Sequence, residues 1–437
     1  MIGTANRTIF NVTQDNCICE MVSFNGSVSA MNYFAINQTC QLFILDNNSI
    51  VVDFYFPSSL IFINRTAISL TRYINQATSS TAGSSSTMLT TTIGCNQTFL
   101  NYTTYSMGSS TNYVAVNDIN SDMKPDILTV NTGSNNMGVR LNKGDNTFSS
   151  STFYVVDSQP FAIAVADLNN DTYPDVIVTN SGSKNIGILM NNGNGTFRSQ
   201  YTLYSNSNPH PLAVADLDND NQPDILYSTW STTTVGVFFN QGNGTFSSES
   251  DYATGDYPFA IEVSDVNKDN QPDIITVNQN SNSVIILINQ GNRTFLYQST
   301  ISVGNGPYSL AVADIDGDNI VDIAVGNKNA GTVSVLINRG NGTFLNHVVY
   351  NVGSSPYAVK IHDINLDNYP DIIVVNYNSK NIGILLNKGN GTFFDQITFP
   401  IGTQPTSLAV VDVNDDNKPD VIVTNSGDNN VGVLLHC

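Results

Sequence analysis

From about residue 94 to residue 437, short apolar runs alternate with polar clusters, and the alternation returns in register every 49 residues. In the copy from Ile301 to Phe344, Tyr308 to Ala313 (YSLAVA) is almost continuously apolar and reads as the first, innermost strand of a unit. Ile323 to Val325 gives a second strand and Thr332 to Asn338 (TVSVLIN) a third, and Thr343-Phe344 opens a fourth that runs to about Val352. Such runs are rich in β-branched residues, are bounded by Asn, Gly and Asp, and show no helical period, so they predict strands. The turns Asn327–Gly331 and Arg339-Gly340-Asn341-Gly342 supply residues that tolerate positive φ, as tight hairpins require. Four short antiparallel strands make one propeller blade. Seven units predict an all-β, seven-bladed β-propeller, with an open solenoid as the alternative.

The chain ends favour the closed ring. The last copy stops at Leu434-Leu435-His436-Cys437, after its third strand, and the missing fourth strand stands at the other end as TFLNYTTYSM from Thr98. Phe99 lies 49 residues before Phe148, so this segment is expected to complete the seventh blade. In that register Cys437 takes the slot of Lys388 and Cys95 that of Gly389, which predicts a Cys95–Cys437 disulfide at the seam. Closing a loop of about 340 residues contributes several kcal/mol in the chain-entropy account.

Between the first and second strands each unit carries the pattern Asp-x-Asp/Asn-x-Asp-x-x-x-Asp. The candidate ligands are Asp118, Asn120, Asp122 and Asp126; Asp167, Asn169, Asp171 and Asp175; Asp216, Asp218, Asp220 and Asp224; Asp265, Asn267, Asp269 and Asp273; Asp314, Asp316, Asp318 and Asp322; Asp363, Asn365, Asp367 and Asp371; and Asp412, Asn414, Asp416 and Asp420. Four side-chain oxygens round one point, with a backbone carbonyl at position 7, suit calcium, giving up to seven ions, one per blade. Magnesium demands a stiffer octahedron, and zinc prefers His or Cys, which the loops lack. Position 6 must turn sharply. Asn fills it at 221, 270, 319, 368 and 417, whereas Met123 and Thr172 suit it poorly, so the first two loops are expected to be weak or distorted. The ions would staple hairpins and do no chemistry.

The formal net charge of −20 follows from these loops, which hold 23 of the 36 acidic residues. Glu occurs only at 20, 249 and 262, so the acidity belongs to ligand loops and not to a mixed solvated surface. With no basic patch, nucleic acid is excluded as a partner. No stretch reaches the roughly 20 apolar residues of a membrane helix. Asn-x-Ser/Thr sequons stand at Asn6, Asn11, Asn25, Asn37, Asn47, Asn64, Asn96 and Asn101, and recur within the units at Asn194, Asn243, Asn292, Asn341 and Asn390. Together with cysteines that avoid the interior of the array, they indicate an extracellular or cell-surface glycoprotein of the secretory route. Met1 to Asn11 has no apolar signal core, so the chain reads as a fragment or as one whose leader is missing.

The repeat from Gly304 (GNGPYSLAVADIDGDNIVDIAVGN) to Phe344 (VSVLINRGNGTF) resembles the FG-GAP/VCBS-type repeats of integrin α-subunit propellers and many secreted proteins. The likeness covers residues 94–437. The Phe-Gly…Gly-Ala-Pro signature survives only as Gly304-x-Gly306-Pro307 and its equivalents, so no specific adhesion function carries over. The resemblance implies calcium at the aspartate loops and partner binding on the opposite face. Residues 77–93 (ATSSTAGSSSTMLTTTI) read as a Ser/Thr-rich linker. Before it, residues 1–76 form a small, mainly β domain. Its Cys17-Ile-Cys19-Glu20 and Thr39-Cys40-Gln-Leu-Phe segments resemble a PAN/apple module, with Cys40 free to pair with either Cys17 or Cys19.

On the face opposite the loops, the position six residues before each first aspartate reads Asn112, Phe161, His210, Phe259, Tyr308, Tyr357 and Thr406. This ring either seats a ligand at the central funnel or plugs the spaces between blades. The third unit ends its second strand with Thr229-Trp230, where six others have Asn, and the lone Trp230, with Tyr377 at the equivalent slot, marks a possible ligand face. The expected function is a protein- or glycan-binding recognition module. The alternatives are a propeller-fold polysaccharide lyase or hydrolase and a purely structural spacer. The histidines at 210, 347, 362 and 436 fall at unrelated slots, so no catalytic constellation is visible.

Overall fold

The second strand of every repeat places apolar residues on both of its faces, and it can be stable only with a neighbour on each side. The computed structural model describes residues 99–436, apart from the side chains of Leu100 and Asn101, and the backbone alone of 6–12, 17–24, 27–34, 40–44, 49–54 and 60–64. Within 99–436, seven four-stranded antiparallel sheets stand in a ring. All six residues of each second strand are buried, as in Asp126–Asn131, Asp175–Asn180 and Asp322–Asn327. Alternate residues feed the two neighbouring interfaces, giving seven separate hydrophobic cores, each shared by adjacent blades. Leu128 and Val130 of blade 1 meet Val176 and Val178 of blade 2, while Ile127 turns the other way to Ile422 and Val431 of blade 7.

The ring closes as the chain ends predict. Strand Asn430–His436 pairs antiparallel with Phe99–Ser106, which supplies the outer strand of blade 7. Across the seam the Asn142 amide donates to the Val413 carbonyl at 2.7 Å, and Thr406 Oγ1 donates to the Asn112 carbonyl at 2.6 Å. Cys95 and Cys437 themselves lie outside the described residues.

One detail differs from the sequence reading. The expected continuous fourth strand is interrupted in most blades: in blade 5 Asn338 and Phe344 form an isolated bridge, and the outer strand resumes at Val348–Asn351. Only blade 4 (Phe295–Ser302) and the closing strand Phe99–Ser106 run unbroken for eight residues. The innermost strand is less buried than the second, because one of its sides lines a central channel.

The N-terminal unit contains two three-stranded antiparallel sheets, Asn6–Val12, Cys17–Phe24 and Ser27–Phe34, and Cys40–Ile44, Ser49–Phe54 and Leu60–Asn64. The linker 77–93 and the side chains on which the PAN/apple resemblance rests lie outside the described residues. The described residues form strands, bends and turns, and no helix among them is long and apolar enough to cross a membrane.

Candidate functional site

Each aspartate loop is organised by its own carboxylates. In blade 1 the N–H groups of Asp122 and Met123 donate to the two oxygens of Asp118, at 3.1 and 2.7 Å. The same pair recurs in blade 5, where Asp318 and Asn319 donate to Asp314 at 3.1 and 2.7 Å. Position 6 has positive φ in all seven loops, including Met123 (64°) and Thr172 (71°). The expected distortion of the first two loops is therefore absent. The backbone pattern imposes the conformation, and Met123, 93% exposed, meets no neighbour that resists it. Position 4 is also left-handed in every loop, at Ser121, Asn170, Asn219, Lys268, Gly317, Leu366 and Asp415.

The loops divide by their third position. Asp216, Asp218 and Asp224 each bring a carboxylate oxygen within 4.8 Å of the others, as do Asp314, Asp316 and Asp318. One oxygen of Asp218 and one of Asp316 are buried with no hydrogen-bond partner. An orphaned carboxylate oxygen facing other carboxylates fits a hard cation, which would supply the missing positive charge. In four of the five loops where position 3 is Asn, its amide instead donates to the position-5 carboxylate, as from Asn169 to Asp171 at 3.0 Å and from Asn365 to Asp367 at 2.9 Å.

The position-9 aspartates are fully buried and do more than offer a ligand. In blade 3, Asp224 accepts the N–H of Leu217 at 2.9 Å and that of Asn240 at 2.8 Å, tying the loop to the end of the third strand. Asn240 then donates across the interface to the Leu168 carbonyl of blade 2 at 3.0 Å. Asn142, Asn191, Asn289, Asn338 and Asn387 do the same in their blades. The sequence reading took these asparagines only as strand ends. Their signal was the Asn that precedes each third-to-fourth turn. Burial pushes the carboxyls of Asp126, Asp175, Asp273, Asp322 and Asp420 up to about 6, and those of Asp224 and Asp371 up to about 7. The two N–H bonds oppose that shift, and neighbouring carboxylates reinforce it.

Blade 3 has a resident cation. Arg293, from the turn of blade 4, donates through Nε to Asp218 at 2.6 Å. The equivalent turn slot is glycine in four other blades, at Gly195, Gly244, Gly342 and Gly391, and Asn146 in blade 1. Replacing Arg293 with glycine should therefore tighten divalent-ion binding at one site about tenfold in a terbium-luminescence or calorimetric titration. An unchanged titration would show that Arg293 leaves the charge of that loop unaltered.

At the opposite end the repeat builds an aromatic mouth. Six blades begin their inner strand with proline, and in all seven the register slips immediately after the first residue. The residue caught in this bulge is the one six before the first aspartate, and a bulge re-aims its side chain. The resulting tier includes Phe161, Phe259, Tyr308 and Tyr357 round a channel of about 550 Å³. Phe259 and Tyr308 ring centroids lie 3.7 Å apart, and those of Tyr308 and Tyr357 4.5 Å apart.

A second tier comes from the residue after each second strand. Trp230 stacks on His210 at 3.6 Å and on Phe259 at 5.3 Å, and Tyr377 stacks on Tyr357 at 4.3 Å. Lys328 sits between them, its Nζ 4.5 Å from the Tyr308 ring centre and 4.6 Å from that of Tyr357. Trp230 is half-buried, not freely exposed, because His210 lies beneath it. Burial drives the His210 imidazole down to about 3, so it is neutral at physiological pH. The polar remainder of the mouth is Asn112 and Thr406, in blades 1 and 7. Deeper in the channel, Lys360 Nζ stands 3.9 Å from Glu262 Oε1. Both occupy the slot three before the first aspartate, where the other blades have alanine, a departure the sequence displayed and the sequence reading passed over.

Seven four-stranded blades round a channel, each bearing an acidic loop, define a β-propeller of repeated loop units. FG-GAP-like repeats match residues 118–178, 167–227, 265–325, 314–374 and 363–423. These stretches cover more than half of the sequence, and the chain belongs to the FG-GAP-like repeat family. The unmatched stretch 228–264 includes Trp230, where the repeat departs from its own pattern.

No curated protein matches the chain in sequence. Among solved structures it is similar to BBS1N in complex with ARL6DN, at 12% identity and TM-score 0.56, covering 78% of this chain and 96% of that one. It is similar to virginiamycin B lyase from Staphylococcus aureus at 14% identity and TM-score 0.54, covering 77% and 99%. An Agrocybe aegerita lectin that recognises non-reducing terminal N-acetylglucosamine gives 18% identity and TM-score 0.50, covering 66% and 80%. These likenesses concern the fold. They include a protein-bound propeller, a lyase and a lectin, so fold alone does not choose a function.

Proposed function

We propose that the chain is an extracellular recognition module that binds a protein or glycan ligand at the aromatic mouth, on a ring held rigid by calcium in the aspartate loops. The observation that carries this reading is the two-tier platform across blades 3 to 6, where Trp230, Lys328 and Tyr377 cap Phe259, Tyr308 and Tyr357. Such a surface offers flat apolar faces beside Lys328, which makes no salt bridge among the described residues, the composition that anchors protein and sugar contacts. Its residues vary from blade to blade, whereas the aspartates at positions 1, 5 and 9 of the loops recur in all seven. Calcium is best supported in the third and fifth loops, whose third position is an aspartate with an orphaned oxygen.

A glycan array and a pull-down from extracellular fluid, each with and without chelator, test this reading. Selective binding that Trp230→Ala and Tyr377→Ala weaken about tenfold or more supports it. Binding indifferent to both substitutions would place recognition elsewhere. Turnover of a bound polymer would support the enzymatic alternative, and silence in both assays the spacer.

A further inference from the structure

Five turns between third and fourth strands carry the sequence Asn-x-Thr-Phe, at Asn194, Asn243, Asn292, Asn341 and Asn390. All five asparagines are exposed. In each, Oδ1 is docked on the turn by accepting the threonine hydroxyl, at 2.6 Å for Asn194, 2.5 Å for Asn243, 2.8 Å for Asn292, 2.6 Å for Asn341 and 2.6 Å for Asn390. Among the described residues, no Nδ2 of the five makes a hydrogen bond. The amide nitrogen therefore points outward while the oxygen alone holds the turn.

The turn itself does not demand an amide. Blade 1 makes it with Asp145, whose carboxylate accepts the Thr147 N–H at 3.1 Å and also its hydroxyl. Since a carboxylate serves the turn in blade 1, the amide nitrogens of the other five are not required by the turn and are free for another use. These turns also share the face of the aspartate loops. Gly195 in blade 2 lies against Asn120 of blade 1, Gly391 in blade 6 against Asp316 of blade 5, and Arg293 in blade 4 reaches Asp218 of blade 3.

We propose that Asn194, Asn243, Asn292, Asn341 and Asn390 carry N-linked glycans, one on each of blades 2 to 6, forming a crown that closes the aspartate-loop face to protein partners. The modification joins Nδ2 to the anomeric carbon of a lipid-pyrophosphate-linked oligosaccharide. That carbon's bond to the pyrophosphate oxygen breaks, lipid pyrophosphate leaves, and the amide gives up one proton. Because only Oδ1 is used within the fold, the linkage costs the turn no hydrogen bond. Asn96 holds the same slot in the sequence ahead of the closing strand and lies outside the described residues. The proposal rests on the secretory part of the functional reading and not on the ligand face, so its failure leaves the aromatic mouth untouched.

The test is the full chain, secreted from a eukaryotic cell behind an added leader, with glycopeptides mapped by mass spectrometry after enzymatic deglycosylation in heavy-oxygen water. All five asparagines should be occupied. Asp145→Asn, which creates Asn-Asn-Thr in the one unmodified turn, should add one further glycan without changing the melting temperature. Hydroxyl-radical footprinting should then show Tyr173 and Tyr369, on the loop face, oxidised several-fold more after deglycosylation, with Tyr377 unchanged. Unmodified peptides at these positions in secreted, folded protein would overturn the proposal, as would no added glycan on Asp145→Asn. Equal footprints before and after deglycosylation would overturn the closed face.

Discussion

Stripping divalent ions with a chelator should lower the melting temperature of the propeller by on the order of 10 °C, and added calcium should restore it. Each loop packs three or four aspartates, and in two of them three carboxylate oxygens lie within 4.8 Å of one another. A site filled at a hundredfold excess over its Kd contributes about 2.7 kcal/mol, so two such sites give about 5 kcal/mol, a shift of roughly this size. Asp316→Asn should remove a large share of the calcium response, because it takes a charge from a loop that has no neighbouring arginine. Asp218→Asn should cost less, since Arg293 already neutralises its partner carboxylate. The pH dependence carries a definite sign. Burial raises the position-9 carboxyls to about 6 or 7, so between about pH 4 and pH 7 the native state holds more protons than the unfolded chain. Metal-free protein should therefore lose stability as pH rises through this window, while calcium should cancel the trend by favouring the ionised form. A melting curve indifferent to chelator at every pH would remove the ions from the structural account.

What could be read from the residues was whatever repeats in identity. The 49-residue period, the four runs per unit and the displaced Thr98-Phe99 segment led directly to seven blades and a closed ring. What escaped was set by backbone geometry that many residue types can satisfy. Position 4 of the loops is left-handed at Ser121, Lys268 and Leu366 alike, because the N–H groups that follow must reach the first aspartate. Glycine marks that requirement only at Gly317, and six other residues fill the slot, so no shared motif announced it. The bulge that turns Tyr308 and Phe259 into the channel mouth is likewise a register effect, visible only once the Pro-led strand pairs with its neighbour. The interrupted outer strand has the same origin: the Asn338–Phe344 bridge satisfies the turn, and the chain then leaves the sheet before pairing again. Trp230 was found by its rarity, but its half-buried state depends on His210, whose slot in the ring gave no hint that tryptophan would cover it.

Asn240→Asp should destabilise the propeller more than Asn240→Ala, although aspartate is the closer match in shape. The Asn240 side chain is fully buried, donates to the carbonyls of Leu168 and Pro223 at 3.0 and 3.1 Å, and accepts the Gly242 N–H at 3.0 Å. Alanine leaves these groups unpaired at about 2–4 kcal/mol. Aspartate keeps the acceptor but points a second oxygen at two carbonyls, and must either bury a charge against them or hold a proton to donate to one. If packing alone joined the blades, the two variants would rank the other way. The seventh blade offers the complementary gain. His436 stands in this slot, its N–H reaches Asp420 at 2.6 Å, and its Nδ1 is buried without a partner. Among the described residues, no side chain donates to the Ile364 carbonyl that the missing amide would meet. His436→Asn should therefore add about 1 kcal/mol of stability, read as a raised denaturation midpoint with unchanged slope. A neutral result there, beside a large loss at Asn240, would mean that the seam between blades 6 and 7 is held by its apolar core of Ile373, Val375, Leu408 and Val421 and not by the polar staple.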